Sequence, residues 1–130
     1  MRLSCWLVAV LLLMSLAVDA NATDAPPSQV NCADPVAGCP IANGITMRFS
    51  QIPKPMQTFK LEVTASSGRQ LSASFEMRDM DMGSNHYRLL PEDGKWHAKV
   101  MLPACMHGSS EWVMRLEVDD KVYEMPFRTR

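Results

Sequence analysis

Thioether, imidazole and thiol side chains are concentrated in two short stretches of this chain. Met80-Asp81-Met82-Gly83 is followed by His86, and further on comes Cys105-Met106-His107. Ligands of this kind, unaccompanied by a carboxylate set, favour Cu(I) over Zn(II). Two thioethers separated by one residue on extended backbone project to the same side. Gly83 lets the chain fold back and bring His86 within reach. The candidate metal ligands are therefore Met80, Met82, His86, Met106 and His107, with copper as the ion. The competing reading is packing, because Met is an adaptable core filler and the chain carries 11 of them. Met77, Met101 and Met114 are expected to serve in that way.

No other constellation points to chemistry. There is no Ser/His/Asp arrangement with a recognisable local context, no Gly-rich phosphate loop and no Cys-x-x-Cys pair. Asp79, Asp81, Asp119 and Asp120 read as loop and turn residues, and His97 alternates outward on a strand and is expected to be solvated. The chain is not expected to be an enzyme. With 13 basic against 14 acidic residues and no basic run, it also lacks the phosphate-neutralising surface that nucleic-acid binding requires.

The elements that must position these residues begin after the N-terminal segment. Met1-Arg2 followed by an apolar run from Cys5 to Val18 and the small-x-small pattern Ala20-Asn21-Ala22 predicts a secretory signal over residues 1–22. The run is shorter than the roughly 20 apolar residues a spanning helix needs, so no membrane span is expected after cleavage, and an uncleaved anchor is the lesser reading. The mature chain is then exported, to a periplasm first and a secreted location second. Removing Arg2 and Asp19 takes one charge from each sign and leaves 12 basic and 13 acidic residues. Residues 23–43 read as an irregular leader and 44–130 as one domain.

Three cysteines remain: Cys32, Cys39 and Cys105. In an oxidising compartment an odd count implies one disulfide and one leftover thiol, or an intermolecular bond. Cys32–Cys39 closes a short loop, whereas Cys39–Cys105 staples the N-terminal segment to the body. A bond involving Cys39 is expected, with its partner open.

Hydrophobic alternation runs through the rest. Phe59, Leu61 and Val63 alternate with polar residues, as do Leu71, Ala73, Phe75 and Met77, then Trp96, Ala98, Val100 and Leu102, then Trp112, Met114, Leu116 and Val118. Asn43-Gly44, Ser66-Ser67-Gly68, Pro91-Glu92-Asp93-Gly94, Gly108-Ser109-Ser110 and Asp119-Asp120 supply the turns. About seven short antiparallel strands at this spacing predict an all-β, immunoglobulin-like β-sandwich.

The stretch from about Ile45 to Phe127 resembles the YtkA/FixH-like group of exported bacterial domains. The resemblance is carried by Met80-Asp81-Met82-Gly83, the strand after it, Gly94-Lys95-Trp96, Leu102-Pro103 and the alternating strand from Trp112. It implies an extracytoplasmic immunoglobulin-like domain associated with cytochrome oxidase assembly or heavy-metal efflux, with copper as the relevant ion. The chain departs from a full FixH protein in lacking its retained membrane anchor and in adding the Cys32, Cys39 and Cys105 set. Two functions are therefore expected to compete: Cu(I) handling through the Met-rich loop, and a metal-free accessory module whose Met-rich loops contact an envelope protein partner.

Overall fold

The computed structural model describes residues 26–66, 70–79, 83, 85–104 and 110–130. Ten strands run in chain order: β1 (Ser28–Gln29), β2 (Cys39–Ala42), β3 (Ile45–Phe49), β4 (Thr58–Ala65), β5 (Leu71–Met77), β6 (Asn85–Arg88), β7 (Leu90–Glu92), β8 (Lys95–Met101), β9 (Glu111–Val118) and β10 (Lys121–Arg128). One five-stranded sheet has the order β1-β10-β9-β5-β6 and the other β2-β3-β4-β8-β7. Only β1 pairs in parallel, with β10, among the described strands. The fold is all-β and sandwich-like, and among the described residues no helix is present.

The alternation read from the sequence is the alternation of burial. Phe59, Leu61 and Val63 on β4, Leu71, Ala73, Phe75 and Met77 on β5, and Trp112, Met114, Leu116 and Val118 on β9 all enter the core. The four Phe of the chain close a ring of edge-to-face contacts across the two sheets. Phe49 to Phe59 is 5.1 Å, Phe59 to Phe75 6.1 Å, Phe75 to Phe127 6.0 Å and Phe127 to Phe49 5.2 Å. Each such contact adds about 0.5–1.5 kcal/mol beyond area burial. Because Phe49 and Phe59 come from one sheet and Phe75 and Phe127 from the other, the ring fixes how the sheets face each other.

The strand number differs from seven for two reasons. The run from Tyr87 to Leu90 is divided between the sheets: β6 belongs to the first and β7 to the second, with buried Leu89 at the crossing, its amide donating to Leu71 O at 2.9 Å. Residues 23–43, expected to be irregular, contribute β1 and β2 and place Val30 and Cys39 in the core. Both strands are too short to show a period in sequence and exist through their neighbours. Met101 differs as well. Met77 and Met114 are buried, but Met101 is 45% exposed, because β8 keeps the parity that buries Ala98 and Val100.

Between β1 and β2 the chain passes from one sheet to the other. Asp34 Oδ1 accepts from Val36 N at 3.0 Å and Ala37 N at 3.2 Å, an Asx turn. Gly38 follows at φ 100°, where a Cβ would stand 3.3 Å from Met47 O. The Cys32–Cys39 disulfide closes this turn with a Cα separation of 5.8 Å. Pro126 suits the place where β1 has left β10. Val30 N donates to Glu124 O at 2.8 Å, so the backbone of β10 two residues on faces the same side, where no strand remains to accept and a missing N–H costs nothing.

Candidate functional site

The strand ends that flank the two sulfur-bearing segments lie at one pole. β5 ends beside the start of β9, with Met77 opposite Trp112 and Arg78 N donating to Glu111 O at 3.0 Å. The described flanks of residues 80–84 and 105–109 are thus hydrogen-bonded to each other. Met80, Met82, Met106, His107 and Cys105 themselves lie outside the described residues, as do the 1–22 segment and parts of the turns at 66–68 and 108–110.

His86 is described. It lies on edge strand β6 opposite Ser74, exposed on the outer face, while its neighbour Tyr87 turns inward against Phe75 at 6.0 Å. The Tyr87 hydroxyl bridges the sheets, donating to Met101 O at 2.9 Å and accepting from Met101 N at 3.2 Å. This clamp ties the strand that carries His86 to the end of β8, from which the Cys105-Met106-His107 segment departs.

Two thioethers at this pole were not singled out as ligands. Met56 is 63% exposed at φ 62°, a left-handed conformation uncommon for a non-glycine residue, and its amide donates to Leu102 O at 2.8 Å. Met101 is the exposed end of β8. The sequence signal for Met56 was its place just after Pro53-Lys54-Pro55, a rigid turn that delivers a side chain outward. The C-terminus closes the same pole, with Thr129 N donating to Ser110 O at 2.9 Å and Arg130 N to Pro53 O at 3.0 Å.

A cleft of about 480 Å³ opens here, walled by Cys32, Pro35, Ile52, Arg78, Trp112 and Phe127 among others. Its rim carries the Arg128–Glu111 ion pair at 3.0 Å, exposed to solvent. Trp112 is buried, and its Nε1 has no hydrogen-bond acceptor among the described residues. A buried donor left unmade costs about 1–3 kcal/mol, so the indole marks a place where an acceptor would be stabilising.

The outer face of the second sheet holds a separate charged cluster. Glu62 accepts from Lys95 Nζ at 3.0 Å, with Arg48 at 3.6 Å and His97 Nδ1 at 4.0 Å. The Lys95 hydrogen bond lowers the Glu62 pKa, burial opposes this, and the charges of Lys95, Arg48 and His97 add to the lowering. His97 is therefore not the solvated residue expected from alternation: its side chain is only 11% exposed, covered on the sheet face beside Glu62. Among the described residues, no three His, Cys, Asp or Glu side chains form a metal-type group, and no helix is long and apolar enough to cross a membrane.

The disulfide expected to involve Cys39 does so, and its partner is Cys32. Comparison with protein-family models, curated proteins and solved structures returns no match.

Proposed function

We propose that this chain is a small exported, periplasmic soft-metal protein with an immunoglobulin-like sandwich, holding Cu(I) at the pole where the strands flanking its sulfur-bearing segments end. One observation carries the reading: three Met-bearing stretches are tied together there by backbone bonds, Met56 N to Leu102 O and Arg78 N to Glu111 O. Met80 and Met82 supply the first thioethers, with His86, Met106 and His107 completing an open site. Exposed Met56 and Met101 extend the soft surface. Cu(I) would be held by two or three such ligands and passed on by ligand exchange, a transfer that needs no enzymatic step. The resemblance to the YtkA/FixH-like group belongs to the same proposal and supplies its context, oxidase assembly or metal efflux.

The test is an anaerobic competitive titration of Cu(I) against a chromophoric chelator, with Met80→Leu/Met82→Leu in parallel. Stoichiometric binding by the oxidised wild type that falls at least tenfold in the double variant supports the thioether site. No competition by the wild type removes it. A second reading is favoured by the cleft lined by exposed Ile52: a metal-free accessory module that docks an apolar segment of an envelope protein, since Met-rich surfaces adapt to varied partners.

A further inference from the structure

A second concentration of sulfur lies inside the fold. Cys39 Sγ is 3.4 Å from Met47 Sδ and 3.9 Å from Met125 Sδ, and is bonded to Cys32 Sγ. In the disulfide Cys39 has no thiol proton, so both thioethers rest against it as sulfur–sulfur contacts. Met47 is 2% exposed, Met125 is fully buried and Cys39 is at 9%. These residues come from β2, β3 and β10, one strand from the first sheet and two from the second, so the convergence is a property of the tertiary fold.

We propose that Cys32, Cys39, Met47 and Met125 form a redox-gated Cu(I) site, closed as the disulfide and opened by a dithiol reductant. The distances fit. With metal–sulfur bonds of about 2.3 Å, sulfurs around a trigonal or tetrahedral ion stand roughly 3.8–4.0 Å apart. Cys39 to Met125 already has that separation, and Cys39 to Met47 needs to open by roughly half an ångström, within the adaptability of an unbranched Met side chain. Two thiolates and two thioethers make a donor set for a soft monovalent ion.

Both cysteines border open space. Cys32 lines the cleft at the pole, while Cys39 and Met47 line a second cleft of about 350 Å³ that also borders Glu62 and Lys95. The dithiol attacks one sulfur of the disulfide to give a mixed disulfide, then closes on itself and leaves as a cyclic disulfide. Its two electrons and two protons leave Cys32 and Cys39 as thiols. Cu(I) then replaces the thiol protons, which pass to solvent, and its oxidation state does not change. This site shares no ligand with the polar set.

The test uses the chain from residue 23 onward, without Cys5, with Cys105→Ser, to remove the third thiol, and Met80→Leu/Met82→Leu, to remove the thioethers of the first site. Cu(I) is titrated anaerobically against a chromophoric chelator, before and after reduction by dithiothreitol and its removal. The expected result is one added equivalent in the reduced form only, with a thiolate-to-Cu(I) charge-transfer band. Adding Met47→Leu/Met125→Leu is expected to weaken binding at least tenfold with both thiols still present. X-ray absorption on the loaded chain without those two changes should count three or four sulfurs around copper, a readout that needs no core variant to fold. Equal stoichiometry in the two redox states, or a shell of only two sulfurs, would overturn the proposal.

Discussion

Reduction of Cys32–Cys39 removes no atoms from the core, which makes it a clean perturbation of the N-terminal crossing. The bond spans a sequence separation of 7. The loop-closure relation, −2.1 − 1.5R ln n, then gives about −8 cal/mol/K for the entropy withheld from the unfolded chain, or about 2.4 kcal/mol at 25 °C. For a domain near 100 residues this corresponds to a fall in Tm of roughly 10–20 °C. The assay is urea unfolding of oxidised and reduced chain, followed by far-ultraviolet circular dichroism and Trp fluorescence. Reductant should shift the midpoint of the wild type and leave Cys32→Ala/Cys39→Ala unmoved. Coincident midpoints for oxidised and reduced wild type would refute the reasoning, because they would mean the unfolded chain gains no freedom when the loop opens. If Cu(I) occupies the opened site, free ion at 100 times Kd should return about 2.7 kcal/mol, bringing the reduced chain back to the stability of the oxidised one.

Phe75 is fully buried and touches Phe59, Phe127 and Tyr87, so Phe75→Ala is expected to cost about 3–5 kcal/mol in urea unfolding. Tyr87→Phe removes the hydroxyl clamp on Met101 and is expected to cost about 0.5–1.5 kcal/mol, with faster hydrogen exchange at the Met101 amide. Glu62 has a folded-state pKa below its unfolded value. Its contribution is therefore complete above the unfolded carboxylate range and is lost as pH falls through the folded pKa. Glu62→Gln should flatten that acid limb of the stability profile, by about 1 kcal/mol or less for a solvent-screened cluster.

The position of the candidate ligand segments between strands was legible in the sequence. Met80, Met82 and Cys105-Met106-His107 stand out by composition, and the turn signals around them put both stretches between strands. That the flanks of those stretches bond to each other was not legible, because it depends on β5 and β9 being neighbours, a pairing between strands far apart in sequence. Met56 was hidden among eleven methionines until its exposure and left-handed backbone distinguished it. His97 was misjudged because alternation gives the face of a sheet and not what covers that face; Glu62 and the residues around it decide the latter.

By itself, the sequence determined the period-two burial of β4, β5, β8 and β9, since side chains on extended backbone alternate by geometry alone. It also determined tight turns such as Asp93-Gly94, where φ values of 50° and 77° suit the pair. Only the tertiary structure decided which cysteine closes on Cys39, because a disulfide requires two Cβ vectors to converge and both Cys32 and Cys105 were open as partners. The same holds for the sulfur cluster. Cys39 and Met125 are separated by 86 positions and meet because the two sheets face each other across one core, a relation that no local pattern encodes.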